Sequence, residues 1–464
     1  MTVTHTTGTE STDTIDTKVT VRAGDWVDTG PGLDDLIGNY RMQIPTDRYV
    51  SADYAARERE AVWMRTWQVA GRLDEIPDSG DWKQYSIYDQ SFLIVRGRDG
   101  VVRGFVNACR HRGNVLCRDN TGNTARFVCP YHLWSYDLKG SLRGVARPDL
   151  VGDLDKEQHG LLQVAVDSFA GFVFLNPDPD AVPLAEFLGT DAYELIEAYH
   201  LDDMVTVLDV REAVDCNWKI VVDAFQEGYH IQAIHPELLK VIVLDPTTNR
   251  FRFWGDHEVA VAPFVVPNAT PDDELDGLRQ LPNTFPTVTG YLPRLEELAE
   301  QHRGDDGQLR YPDGVTGRTL LQQATRETLT DMGFDVDGLT DAQMTDNHGW
   351  LLFPNFFMTI RAAEATVITS IPHPDGDPNR CIWHIRSFMW LPEEYRADFR
   401  AAPIEVDEPG SYPYFLALQQ DYEQMPRQQR GLRNRRIEHI SLVHEELSVA
   451  RFHASLDRHM GEQR

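Results

Sequence analysis

The chain is poor in positive charge. Its 44 Lys and Arg stand against 73 Asp and Glu, a net charge of −29. So acidic a molecule is repelled by nucleic-acid phosphates and anionic membranes, which argues against both partners and favours solubility. Long hydrophobic runs are also missing. No apolar stretch reaches the ~18 residues of a membrane-spanning helix. Cysteine is sparse: Cys109, Cys117, Cys129, Cys216 and Cys381, an odd number too widely spaced for a disulfide framework. The opening MTVTHTTGTESTDTIDT is Thr-rich and acidic. It lacks the apolar core of a secretory leader and the basic character of a transit peptide, so a disordered tail and a reducing cytoplasm are expected. There is no G-x-S-x-G, no Walker A, no dinucleotide fingerprint and no internal repeat, so neither an acyl-transfer nucleophile nor a nicotinamide site of its own is expected.

What the chain does have is two short clusters, Cys109-Arg110-His111 and Cys129-Pro130-Tyr131-His132, with 17 residues between His111 and Cys129. Each pairs one thiol with one imidazole. Two thiolates on one iron of a [2Fe–2S] cluster and two imidazoles on the other is Rieske ligation. Neutral imidazoles leave such a cluster less negative and raise its potential, which suits single-electron transfer near an oxidant. The rival is structural zinc, but a zinc finger groups its two Cys apart from its two His.

These clusters, with Asn107-Ala108 before the first and Trp134-Ser135-Tyr136 after the second, resemble the Rieske domain of the Rieske non-haem iron oxygenases, the aromatic-ring-hydroxylating alpha-subunit family. Leu133 stands where that family usually has Gly. It lies outside the ligand set, so altered packing rather than a lost cluster is expected.

At 464 residues with 41% hydrophobic content, two domains are expected. Residues 1–50 read as a disordered or extended N-terminal segment. Residues 51–180 read as a small β domain carrying the cluster on two loops, preceded by a helix over Ala52 to Trp67. Short apolar runs such as Phe92 to Val95 and Phe172 to Leu175, separated by Gly, Asp and Asn turns, support it. The turn-rich Asn176-Pro177-Asp178-Pro179-Asp180 marks the exit. Residues 181–464 mix helices and strands. Val205 to Ala213, Leu351 to Ile360, Thr366 to Ile371 and Cys381 to Trp390 read as strands. Trp218 to Ile234, Tyr414 to Gln424 and Ile440 to Met460 read as helices. The polar, acidic stretch 268–345 reads as irregular with short helices, placed to cover a pocket. The fold class is α+β: an all-β Rieske domain plus a catalytic domain of antiparallel sheet and long helices, of helix-grip type.

The second signal is Glu227-Gly228-Tyr229-His230 followed by His235-Pro236. On a straight helix the two imidazoles would not share a face, because five residues rotate by ~140° beyond a full turn. They converge if the helix bulges or ends between them, and Pro236 disfavours helix at His235. Two imidazoles at a helix end suit a 2-His-1-carboxylate iron site. The third ligand is sought downstream. Tyr414, Leu418, Asp421 and Met425 share one helical face, and a carboxylate among apolar side chains needs compensation that a metal supplies. Glu423 competes but points to the other side.

The resemblance implies the rest. The family's D/E-x-x-H-x4-H segment matches Glu227, His230 and His235, and Gln420-Asp421 stands where the family brings in its Asp. These are the expected Fe(II) ligands, with dioxygen as cosubstrate. Glu227 is expected to link His230 to His132 or His111 of a neighbouring subunit, or else only to orient His230. Asp223-Ala224 replaces the family's frequent Glu-Asn, which would leave a supporting amide missing. Thr66-Trp67, Glu75-Ile76-Pro77, Gly80, Phe353-Pro354-Asn355, Arg430-Gly431-Leu432 and Glu446 are weaker matches. The family implies a terminal oxygenase fed by a ferredoxin and/or an NAD(P)H-dependent reductase, arranged as a head-to-tail homotrimer to which a small beta subunit can add. Phe225, Tyr229, Ile231 and Ile234 suggest an apolar pocket, hence an apolar or aromatic small-molecule substrate, or equally the inward face of an ordinary core helix. Monooxygenation or oxidative demethylation competes with cis-dihydroxylation of a ring, and Glu at 227 favours the former. The rival readings are an electron carrier with no mononuclear iron and a hydrophobic-ligand binding protein. Arg427, Arg430, Arg433, Arg435 and Arg436 form the main basic run, a donor-docking face, a solvated helix face or part of a subunit interface.

Overall fold

The computed structural model describes residues 26–28, 37–240, 250–263, 269–283 and 285–462. Most of the expected N-terminal tail lies outside them. From Ile37 onward the chain is already part of the fold. Gln43–Pro45 pairs antiparallel with His439–Ser441, and Tyr49 is wholly buried, so the extended segment expected up to residue 50 ends sooner.

The first half builds a seven-stranded sheet in the order Gln68–Arg72, Phe172–Asn176, Gln163–Phe169, Val102–Val106, Gln90–Arg96, Asp81–Ile87, Thr121–Asn123. A three-stranded sheet, Leu142–Gly144, Ser135–Tyr136 and Phe127–Val128, closes over it. Between them Phe105, Phe127, Trp134 and Tyr136 make a small core that also holds Cys109 and Cys129.

The second half is organised on a nine-stranded sheet: Trp26–Asp28, Arg250–Trp254, His257–Ala262, Asn347–Leu352, Phe356–Arg361, Glu364–Pro372, Cys381–Met389, Val205–Val214, Ile404–Val406. All neighbours are antiparallel except the last pair. The molecule is therefore an all-β domain joined to an α+β domain.

Ten helices matter here: α1 (Ala52–Glu58), α2 (Leu184–Ile196), α3 (Trp218–Phe225), α4 (Ile231–Ile234), α5 (Pro271–Leu278), α6 (Leu292–Glu300), α7 (Gly317–Asp331), α8 (Asp341–Thr345), α9 (Leu416–Leu432) and α10 (Leu447–Met460). Strand alternation sorts them onto two faces of the large sheet. Leu351, Phe353, Phe357 and Ile368 face α3, α9 and α10. Trp350, Leu352, Phe356, Met358 and Val367 face α2 and α5–α8.

The leading helix is shorter than expected. α1, capped by Ser51 accepting from Tyr54 N–H (3.2 Å), passes at Arg59–Trp63 into a π-helical turn. It packs across the junction rather than onto the β domain alone. Lys219 Nζ lies 2.7 Å from Glu58, Trp218 Nε1 donates to Glu58 (2.8 Å), and the Trp63 and Trp218 rings meet edge to face. Leu351 to Ile360 is not one strand but a hairpin, turned at Phe353-Pro354-Asn355, because Pro354 has no N–H to give the ladder. Ile440 to Met460 is helical only from Leu447, after a strand and a 3-10 turn. The stretch 268–345 is more regular than expected and holds all of α5–α8.

Candidate metal centres

Two turns of the same construction carry the first set of residues. Cys109 N–H donates to Asn114 O and Cys129 N–H to Trp134 O, both at 2.8 Å. Gly113 N–H returns to Cys109 O (2.9 Å) and Leu133 N–H to Cys129 O (3.0 Å). Each turn therefore needs a left-handed residue four positions after its Cys: Gly113 at φ 74° and Leu133 at φ 60°. Leu133 is 61% exposed, so what the substitution changes is backbone strain, not the packing expected from sequence.

The turns sort the donors by depth. Cys109 and Cys129 are 3% and 1% exposed, while His111 and His132 stand at the outer rim with ring centroids 4.6 Å apart. His111 stacks on Trp134 at 4.8 Å. Two polar side chains reach toward the sulfurs or their turn. Tyr136 Oη is 3.3 Å from Cys109 Sγ and accepts from Arg110 N–H (3.1 Å), and Asn114 Nδ2 lies 3.9 Å from Cys129 Sγ. A buried thiol pair beneath an imidazole pair fits a [2Fe–2S] cluster with two unlike irons. Tyr136 and Asn114 were not singled out in sequence as supports, since their roles depend on folding the two turns together.

The second set converges where α3 breaks. The sequence reading ran one helix to Ile234; the structure ends it at Phe225 and restarts it at Ile231. Glu227 fixes the turn that precedes the restart: its Oε2 accepts from His230 N–H (3.1 Å), while its Oε1 lies 2.6 Å from His230 Nδ1. The break re-aims His230, so that its ring centroid lies 5.2 Å from that of His235.

Asp421, on α9, faces both rings: Oδ1 is 2.9 Å from His235 Nε2 and 3.6 Å from His230 Nε2. One donor atom from each of the three residues lies within 4.8 Å of the others. The outer nitrogens are both taken. Glu227 holds His230 Nδ1, and Gln420 Oε1 holds His235 Nδ1 at 2.8 Å. With Nδ1–H donated outward, both Nε2 lone pairs face inward, the arrangement that orients imidazoles on a metal. Burial disfavours a charged His235, yet hydrogen bonds and charge from Asp421, with Gln420, outweigh it and hold its pKa above the ordinary value. The place attracts positive charge, and an imidazole–imidazole–carboxylate donor set fits Fe(II). Glu423 is exposed and bonds Gln419 and Arg427 instead. Gln420 went unrecognised as a support because its partner lies 185 residues away.

Beside this cluster is a cavity of about 140 Å³ lined by Asp223, Glu227, Asp421 and Glu446 together with Ile234 and Met425. Burial, then the nearby Glu227 and Asp223 charges, push the Glu446 carboxyl above its usual range. Of the four apolar residues expected around the site, only Ile234 lines this cavity. Phe225 stacks on Phe357, Ile231 packs toward the other core, and Tyr229 is exposed. Asp223 accepts from Tyr49 Oη at 2.7 Å.

Comparison with known proteins identifies the two domains that carry these residues. Residues 66–154 match the model of the Rieske [2Fe-2S] domain, and residues 190–462 match that of the ring hydroxylating alpha subunit catalytic domain. The chain is 34% identical over 201 residues to the glycine betaine monooxygenase oxygenase subunit of Chromohalobacter salexigens, covering 43% of this chain and 44% of that one. It is 30% identical over 212 residues to the carnitine monooxygenase oxygenase subunit of Escherichia coli K12, covering 46% and 55%. These alignments span about half the length of the curated relatives. In fold it resembles naphthalene 1,2-dioxygenase from Rhodococcus sp., with a TM-score of 0.63 at 19% identity over 93% of this chain and 97% of that one. No helix among the described residues is long and apolar enough to cross a membrane. With a Rieske domain ahead of a catalytic domain matched over most of its length, the chain belongs to the ring-hydroxylating alpha-subunit family of Rieske oxygenases.

Proposed function

We propose that this chain is the terminal oxygenase of a multicomponent system and that it hydroxylates a small N-methylated substrate, a reaction that ends in oxidative demethylation when a methyl group is attacked. The convergence of His230, His235 and Asp421, with both outer imidazole nitrogens held, carries the reading. Cys109, His111, Cys129 and His132 hold the cluster; His230, His235 and Asp421 hold Fe(II). When bound, the cluster supplies single electrons and the mononuclear iron activates dioxygen.

The chain's own contribution is positioning. Glu227 and Gln420 fix the tautomer and aim of the two imidazoles. Both Glu227 oxygens already serve His230, but a carboxylate has about four acceptor directions, so it can also take an imidazole N–H of His111 or His132 from a second copy in a head-to-tail trimer. The substrate class departs from the apolar or aromatic one suggested by sequence. A carboxylate-lined cavity with apolar walls suits a methylated cation, and the glycine betaine and carnitine enzymes lend support. Electrons come from a separate reductase or ferredoxin.

The test starts with iron and sulfide per chain on anaerobically purified protein. Three irons and two sulfides are expected; two irons, with no third taken up from Fe(II), would leave an electron carrier. Oxygen uptake with a reductase is then measured against glycine betaine, carnitine, anthranilate and naphthalene. Formaldehyde or amine release from an ammonium compound supports the reading, whereas a cis-diol from an aromatic ring overturns it in favour of dihydroxylation.

A further inference from the structure

A second cavity, of about 590 Å³, lies on the other face of the nine-stranded sheet from α3 and α9. Its floor is Val259, Val261 and Trp350, which alternate with the strand residues facing the metal-site helices. α2 supplies Leu195, and Ala198 and Tyr199 follow it in a 3-10 turn. The volume and mostly apolar walls are those of a small-molecule site.

Two buried donors mark it as more than a packing gap. Trp350 Nε1 and Tyr199 Oη belong to side chains about 1% exposed and both line the cavity; among the described residues nothing accepts from either, the Gln343 amide approaching Tyr199 Oη only as a donor. An unpaired buried donor is costly and calls for an occupant that accepts. The walls carry little net charge. Arg318 is bound by Asp346 (Nε to Oδ1, 3.0 Å), and exposed Glu194 and Arg250 add one charge of each sign. His348 spends Nδ1 on the Asp346 carbonyl (3.1 Å), and burial keeps its ring neutral.

We infer that this cavity binds a neutral, largely apolar molecule bearing an acceptor oxygen, such as an aryl ketone or ester, at a place separate from the metal site. Trp350 Nε1 and Tyr199 Oη donate to the oxygen, and the aliphatic walls hold the hydrocarbon.

The experiment titrates the holoenzyme with acetophenone and with ethylbenzene, its near-isostere without the oxygen, by calorimetry. Acetophenone is expected to bind saturably and about 10-fold more tightly, as one or two added hydrogen bonds allow. Tyr199→Phe should erase most of that preference. Ala198→Trp, which fills the cavity, should abolish binding of both while leaving the Rieske EPR signal unchanged. Equal affinities for the two compounds would mean that the donors serve water alone, and undiminished binding to Ala198→Trp would place the ligand elsewhere; either overturns the inference. Should Ala198→Trp fail to fold, the Tyr199→Phe comparison decides.

Discussion

Leu133 holds, in the second ligand turn, the left-handed position that Gly113 holds in the first. A leucine there costs about 1–2 kcal/mol of backbone strain. Glycine at that position relieves the strain but loses more entropy on folding, so Leu133→Gly is expected to leave thermal stability unchanged or raise it by up to about 1 kcal/mol. Leu133→Val, β-branched at positive φ, should cost about 1–2 kcal/mol. Denaturant unfolding of the loaded protein ranks the three; a large loss in Leu133→Gly would contradict the strain account.

Gln420 holds His235 Nδ1 and lies outside the proposed Fe(II) donor set. Gln420→Ala frees Nδ1 and lets the ring turn, so Fe(II) affinity should fall ~10–100-fold. Gln420→Asn or Gln420→Glu should recover part of it. Chelator titration followed by iron analysis reads the effect, and the visible spectrum of the cluster should not move.

The Glu58–Lys219 pair is almost completely buried, with side-chain exposures of 1% and 0%. Glu58→Ala leaves an ammonium uncompensated and also strips Trp218 Nε1 of its acceptor. A loss of about 3–5 kcal/mol is expected. Replacing both residues by Met should cost much less. A double-mutant cycle checks this, and equal losses in the single and double variants would show that packing, not charge, dominates.

His257 is pinned as a neutral ring. Its Nε2–H donates to Phe187 O (2.7 Å), and its Nδ1 accepts from Phe353 N–H (3.1 Å), so a second ring proton would face a donor. Burial drives its pKa down to about 4. The unfolded chain takes up this proton near pH 6.5, the folded chain only near 4. The His257 contribution is therefore full above pH ~6.5 and is lost progressively as pH falls through 4, by about 3 kcal/mol. In His257→Gln that part of the stability profile should flatten. His384, also held near 4 chiefly by burial, keeps a residual slope.

That these side chains converge was legible because the motifs C-x-H, C-x-x-H and H-x4-H need only spacing. Asp421 was legible through its helical face, since Leu418, Asp421 and Met425 are all buried. The break after Phe225 was not foreseen at its true position, because apolar periodicity runs through it and the Glu227–His230 turn that follows it carries no strong breaker. Helices α5, α7 and α8 were within reach of the sequence. Each starts at a threonine whose side chain exchanges hydrogen bonds with the residue three along: Thr270 with Asp273, Thr316 with Thr319, Thr340 with Gln343. The polar composition of the stretch hid that signal. Gln420, Asn114 and Tyr136 could not be found from spacing, as their partners come from other turns or other helices.

The unlike faces of the large sheet also divide its tolerance to substitution. On the side of α3 and α9, a side chain that shifts Asp421 or His235 alters three donor atoms together. On the side of α5–α8, comparable shifts touch none of those donors. Random mutagenesis followed by selection for oxygen uptake should therefore gather accepted changes behind the sheet, and libraries that vary α5–α8 should retain more active members than libraries of equal size on α9.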